Sequence, residues 1–239
     1  MPKVLIADNV SDVVCEIFDT NNIEYEKKVG LSEDELSAEI KGYDGLLIRS
    51  AVTVTKKIIE SSDTLKVIGR PGVGVDNVDL QASSEKNIVV MNTPLGNVQA
   101  TAELTFGIIH SLMRKIHIAN SSMHNKKWEK KKLIGNELLG KNIAIIGFGN
   151  IGKKVADFAQ AYGMNIIVVS ETASSGDVDY LNAKVMKFDD MLSEADIITF
   201  HNKLSEKSKY IINSESLKQM KKNSIVINCA RGGIVNEAD

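Results

Sequence analysis

The chain has 239 residues, 43% of them hydrophobic and 25% charged, with a net charge of -2, an ordinary balance for a soluble globular protein of one large or two small domains. That charge argues against a general nucleic-acid or membrane surface, and no run of about 18 apolar residues offers a membrane span. Met1-Pro2-Lys3 leads straight into a predicted strand rather than a signal peptide, and Cys15 and Cys229 read as reduced thiols of a cytoplasmic protein.

Strand and helix signals alternate from the start. A strand is predicted over 4–7 and a helix over 10–18, then a weak strand over 24–27 and a helix over 33–40 opened by Ser32. Further strands follow at 45–48, 67–68 and 88–91, with helices at 56–60 and 80–86 between them. Five strands separated by short helices imply a small parallel α/β domain. Ligands of such sheets gather at the carboxyl ends of the strands. Arg49-Ser50 stands at one such end and Arg70-Pro71-Gly72-Val73-Gly74-Val75-Asp76 at another. The spacing of Gly72 and Gly74 lets that loop present successive N–H groups to an anion. Arginine suits a planar carboxylate or phosphate, and only four of the 29 basic residues are arginine: Arg49, Arg70, Arg114 and Arg231. The alternative for Arg49 and Arg70 is plain surface solvation.

A turn-rich linker, 92–97, leads into one long predicted helix over 99–119. His110 and His117 lie on it without a third ligand nearby, so no metal site is expected. Lys126 to Lys132 is a basic run around Trp128, either a solvated face or a surface for an anionic substrate or an acidic second subunit. Next comes Lys-Asn-Ile-Ala-Ile-Ile-Gly-Phe-Gly-Asn-Ile-Gly, residues 141–152. An apolar strand, G-x-G-x-x-G and an apolar-periodic helix in that order form the context a dinucleotide fingerprint requires. Gly147 suits the tight turn, Gly149 the approach of a pyrophosphate, and Gly152 the close packing of helix on strand. The helix N-terminus adds free N–H groups and partial positive charge. Strands are then predicted at 165–169, 185–186, 197–200 and 224–227, with helices at 189–193 and 214–220. Cys229, Ala230 and Arg231 follow the last strand, on the same rim as the glycine turn.

These stretches together carry a family pattern. Residues 44–55, 69–80, 92–105, 127–152 and 227–239 make the chain resemble the D-2-hydroxyacid dehydrogenases over essentially all its length. The resemblance implies two Rossmann-like or flavodoxin-like parallel-sheet domains with a cleft between them. Residues 1–98 would form the substrate domain and 99–239 the NAD-binding domain. It implies oxidation of a small 2-hydroxy acid to the 2-keto acid, closest to the members that act on D-3-phosphoglycerate in serine synthesis. Arg231 matches the catalytic arginine that grips the substrate's carboxylate and keto oxygen. The backbone of Gly72, Val73 and Gly74 would help hold the carboxylate, and Arg49, Ser50 and Arg70 are the candidates for a substrate phosphate. Asn97 falls in the family's linker motif, and Lys130 at a basic position that in relatives reaches a neighbouring subunit's site, in keeping with a homodimer or larger homo-oligomer. Asn150 and Ile151 match the pyrophosphate contacts; Asn202, Cys229 and Ala230 match positions on the nicotinamide side.

Three departures stand out. The ribose-binding acid is replaced by Ser170, with Glu171 next, 19 residues after Gly152. Glu171 is expected to take the ribose hydroxyls, and the lack of arginine over 172–179 favours NAD over NADP. The family's His-x-Pro reads His201-Asn202-Lys203, and His201 is expected to be structural or on the cofactor side. Finally, no counterpart is found for the family's later glutamate and proton-donating histidine. The chain is therefore expected to be a fragment without turnover, its nucleotide domain incomplete, with 235–239 opening a helix and apolar surface left uncovered around the last strand. The alternatives are a glyoxylate or hydroxypyruvate reductase, another D-2-hydroxyacid dehydrogenase, and a non-catalytic NAD-sensing protein. A methyltransferase is improbable given the substrate-domain motifs.

Overall fold

Leu5, Ile6, Leu46 and Ile68 are too apolar for a surface, and the computed structural model, which describes residues 2–239, buries all four within a sheet. The chain forms two units, one ending at Asn97 and the other running Val98–Asp239, each with its own five-stranded parallel sheet.

In the first unit β1 (Lys3–Ile6), α1 (Asp12–Thr20), β2 (Glu24–Lys27), α2 (Glu33–Glu39), β3 (Gly45–Leu47), α3 (Lys56–Ser61), β4 (Val67–Arg70), α4 (Leu80–Glu85) and β5 (Val89–Asn92) follow in turn. The strand order is β2-β1-β3-β4-β5. α2 starts where the sequence predicts: the Ser32 hydroxyl accepts from the Glu35 N–H while the Glu35 carboxylate accepts from the Ser32 N–H. Such a reciprocal cap satisfies two helix-end donors at once. Leu36, Ile40, Leu46, Ile48, Ile58, Ile59 and Ile68 form the core of this unit.

The second unit contains α5 (Val98–Met113), α6 (Ile116–His124), β6 (Asn142–Ile146), α7 (Asn150–Ala161), β7 (Asn165–Val169), β8 (Lys184–Val185), α8 (Phe188–Leu192), β9 (Ile197–Phe200), α9 (Ser214–Gln219) and β10 (Ile225–Asn228). The order β10-β9-β6-β7-β8 is that of a Rossmann sheet, with its switch point between β6 and β9. Val155, Ala156 and Ala159 of α7 pack with Ile143 and Ile145 of β6 and with Ala102, Phe106 and Ile109 of α5.

Two predicted elements differ. The single helix expected over 99–119 is broken between α5 and α6, where Lys115 takes a left-handed φ of 53°. The Met113 carbonyl, which a continuous helix would use internally, accepts from the Asn136 N–H at 2.8 Å. The helix expected to open at 235–239 is absent. Val235 instead forms a parallel bridge with Ile212, and the Asn236 N–H donates to the Ile212 carbonyl at 2.8 Å. Local helical propensity lost to a tertiary partner in both places.

Candidate functional site

In the first unit a buried carboxylate organises the loops. Asp8, directly after β1, is 5% exposed. It accepts from the N–H groups of Asn9, Arg49 and Ala51 at 2.7, 2.9 and 3.0 Å. The Asn77 amide donates to the carbonyls of Arg49 and Val52. The Arg49-Ser50 backbone is thus fixed from two sides while both side chains are exposed.

The 70–74 loop is arranged differently. The Arg70 guanidinium folds back and donates to the Gly74 carbonyl. Its Nη1 fills the space next to Gly72, where an added Cβ would lie 2.5 Å away. The Gly72 carbonyl accepts from the Thr93 N–H and the Val73 carbonyl from the Asn92 amide. All three carbonyls are used, whereas the N–H groups of Gly72, Val73 and Gly74 find no acceptor among the described residues. Successive free N–H groups of this kind favour an anion. Asn97 is exposed and directly precedes α5.

In the second unit the fingerprint turn is sterically determined. Gly147 has φ +93°, and a Cβ there would lie 2.8 Å from the Asn202 nitrogen. A Cβ on Gly152 would meet the Gly147 carbonyl oxygen at 2.1 Å, but one on Gly149 would meet nothing within 4 Å. Gly149 is also the N-cap of α7 and supplies no side chain to it. The space above Gly149, next to the free end of a twelve-residue helix, is therefore open to a ligand. Asn150 beside it is exposed, and Ile151 packs against the core.

The neighbouring strand ends complete a rim. After β9 the His201 N–H donates to the Ile146 carbonyl at 2.7 Å, tying that loop to the fingerprint strand. The His201 ring pairs through Nε2 with the fully buried Thr199 hydroxyl at 2.9 Å, and Nδ1 has no partner among the described residues. Burial pushes its pKa down to about 4, so the ring is neutral at physiological pH. Asn202 donates to the Lys203 carbonyl, while its Oδ1 is buried without a donor among the described residues. That is an acceptor in want of a ligand's N–H or O–H. After β7 the Ser170 hydroxyl accepts from the N–H groups of Thr172 and Ala173. Glu171 is exposed and pairs with Lys207, whose ammonium holds the carboxyl below its usual range.

After β10 the Asn228 side chain shapes the turn. Its Oδ1 accepts from the Ala230 N–H and its Nδ2 donates to the Arg231 carbonyl. The Arg231 guanidinium donates to the Ala230 carbonyl at 2.9 Å. Cys229, Ala230 and Arg231, with Val226 and Val235, border an open hollow of about 510 Å³. Strands lie about 4.8 Å apart, so two strand spacings, about 10 Å, separate the ends of β10 and β6. The rim thus gathers Gly147, Gly149, Asn150, Ser170, Glu171, Asn202, Cys229, Ala230 and Arg231. Lys130 is not joined to it: its segment is held to α6 by the Ser122 hydroxyl, which donates to Lys127 and Glu129. His110 stacks edge-on against Tyr162, and His117 bonds Ser111.

The profile of the family described as D-isomer specific 2-hydroxyacid dehydrogenase, NAD binding domain, matches residues 106–239. The chain belongs to this family. Among similar dehydrogenases, D-3-phosphoglycerate dehydrogenase of Synechocystis is 40% identical over 237 residues, 99% of this chain and 43% of that protein. The human D-3-phosphoglycerate dehydrogenase is 41% identical over 235 residues, 98% of this chain and 44% of that one. The chain thus spans less than half the length of these curated relatives. The crystal structure of the TT0316 protein from Thermus thermophilus superposes with a TM-score of 0.90 at 29% identity, over 99% of this chain and 76% of that one. For this dehydrogenase-family chain NAD is accordingly the cofactor, and the open space at Gly149 and the buried Asn202 Oδ1, without a donor among the described residues, fit a dinucleotide. Asp8, Asn77, Thr199, Lys207 and Asn228 escaped the sequence reading. Asp8 and Asn228, each directly after a predicted strand, carried a positional signal.

No helix of the described residues is long and apolar enough to cross a membrane.

Proposed function

We propose that this protein catalyses NAD-dependent oxidation of D-3-phosphoglycerate to 3-phosphohydroxypyruvate, the first step of L-serine synthesis, in the cytoplasm. The observation that carries the reading is the placement of Arg231 on the same rim as the glycine turn, in a turn shaped by Asn228. The name and identity of the two dehydrogenases above support the choice of substrate.

When bound, NAD supplies the hydride acceptor. Gly149 leaves room for the pyrophosphate, Gly147 and Gly152 fix the turn that presents it, and Asn150 and Ile151 at the helix end are its contacts. Glu171, beside Ser170, takes the ribose hydroxyls. Asn202, Cys229 and Ala230 orient the nicotinamide end. Arg231 holds the substrate's carboxylate and stabilises negative charge on the oxygen at C2, the role a fixed cation performs best. The N–H groups at Gly72, Val73 and Gly74, without an acceptor among the described residues, receive the carboxylate, Arg49 and Ser50 the phosphate, Asn97 assists substrate binding, and Lys130 serves a neighbouring subunit's site. His201, buried, held neutral and bonded to Thr199, does not suit proton transfer.

Self-association accompanies this reading. Met123, Trp128, Ile134 and Leu139 are 55%, 79%, 75% and 72% exposed along α6 and the chain after it. These exposed apolar side chains, along one stretch of the chain, are the surface proposed for a homo-oligomeric interface.

A second reading, a reductase of glyoxylate or hydroxypyruvate or another D-2-hydroxyacid dehydrogenase, is favoured by Arg70, whose guanidinium is engaged by its own loop rather than extended. Calorimetric titration of the NAD-saturated chain separates the two. D-3-phosphoglycerate should bind about tenfold more tightly than D-glycerate, a difference of about 1.4 kcal/mol. Equal affinities select the second reading. Arg231→Gln should weaken both ligands at least about tenfold, and unchanged binding would overturn the role of Arg231.

A further inference from the structure

In the second sheet β6 lies between β7 and β9, so the ends of β7 and β9 are about 10 Å apart across it. Yet Glu171, from the loop after β7, and Lys207, from the loop after β9, meet at 2.8 Å. The pair bridges across the end of β6, where the Gly147–Gly149 turn begins. The approach to Gly149 is open, since an added Cβ there would touch nothing within 4 Å. The two loops therefore join across the end of β6, whose turn is packed against Asn202 at Gly147 and leaves a slot at Gly149.

The bridge also sets the charge of that slot. The Ser170 hydroxyl is committed to the N–H groups of Thr172 and Ala173, which leaves Glu171 as the first carboxylate past β7. Both partners of the bridge are largely in solvent, with side chains 84% and 78% exposed, so it is weak and easily rearranged. An ammonium is a compact point charge with three rotatable donors, able to serve a carboxylate or a phosphate equally.

We propose that Lys207 is a specificity-determining residue for the cofactor: held by Glu171, it leaves the ribose end of the slot hostile to a 2′-phosphate, and released from Glu171 it receives one. This rests on the reading that Glu171 takes the ribose hydroxyls. In the wild type a 2′-phosphate meets a carboxylate whose counter-charge is already spoken for. Once the Glu171 charge is removed, the same position presents an uncompensated cation.

The test is a calorimetric titration of the 239-residue chain with NAD⁺ and with NADP⁺. It uses the wild type, Glu171→Gln, Lys207→Gln and the double variant. Glu171→Gln should weaken NAD⁺ by about fivefold and tighten NADP⁺ by about tenfold, the scale of one charge-assisted hydrogen bond lost or gained. The double variant should lose the NADP⁺ gain and return to within about twofold of wild type. If NADP⁺ tightens equally with and without Lys207, relief of repulsion at Glu171 explains the gain and the proposal is overturned. Unchanged NAD⁺ affinity in Glu171→Gln overturns the ribose assignment instead. The two failures are thus read on different ligands, and the proposal stands only where NAD⁺ weakens in Glu171→Gln and the NADP⁺ gain depends on Lys207.

Discussion

Both units carry glycines in the turn after a parallel strand or at the start of the helix it feeds, and the two sets serve different physics. In the second unit Gly147 and Gly152 are there because no other residue fits. One has φ +93°, and a Cβ on the other would lie 2.1 Å from a backbone carbonyl oxygen. In the first unit Gly72 has an ordinary backbone, and the only atoms a Cβ would disturb belong to the movable end of Arg70. There the gain is chemical: carbonyls are engaged, leaving N–H groups free for an anion. A glycine-rich loop can therefore be fixed by the fold or by the ligand, and substitution separates the two.

The largest effect is expected at Gly152. Gly152→Val forces side chain into a fixed backbone carbonyl, an overpacking cost of about 3 kcal/mol or more. A fall of roughly 6–12 °C in the melting of the second unit should follow. A change below about 2 °C would remove the steric distinction between the sets.

His201 comes next, as a pH effect. Its pKa of about 4 in the folded chain lies below the ordinary 6.5. The unfolded chain therefore binds the extra proton between those values. The stability linked to its neutral ring is complete above about pH 6.5 and is lost as pH falls toward 4, by roughly 3 kcal/mol. Denaturant titrations of wild type and His201→Gln should show that slope only in the wild type, and parallel curves would contradict the burial-driven shift.

Gly149→Ala should lower the melting temperature by no more than about 2–4 °C, the cost of a poorer N-cap, yet weaken NAD⁺ on the order of tenfold, because the methyl group enters the open space at the helix end. Calorimetry and thermal melting on the same sample check both halves, and full affinity would show that the cofactor does not use this space. Gly72→Ala should have the smallest effect, under about 1 kcal/mol, as Arg70 swings aside. A loss matching that at Gly152 would mean that Arg70 is locked in place.

These contrasts also mark what the chain discloses before it folds. The strand-turn-helix around Gly147 was readable because its information is local: an apolar run, three glycines and a helical repeat. The capping of α2 by Ser32 was readable for the same reason. The break after Met113 was not, because its cause is Asn136, far along the chain. Likewise nothing near Asn236 announces that Ile212 will capture its N–H. At the site, side-chain direction was the missing variable. Arg70 and Arg49 look alike as arginines after strands, but one folds onto its loop and the other is exposed. Lys207 carried no motif, and its meeting with Glu171 depends on a strand order that sequence spacing does not encode.

The central claim is that NAD lies along the carboxyl-end rim of the second sheet, from Glu171 across Gly149 to Ala230. Hydrogen exchange of the chain with and without NAD⁺ tests it most directly. The account predicts added protection at 147–153, 201–203 and 229–232, with the 70–76 loop of the first unit unchanged. Protection confined to the 70–76 loop, or absent from 147–153, would contradict it.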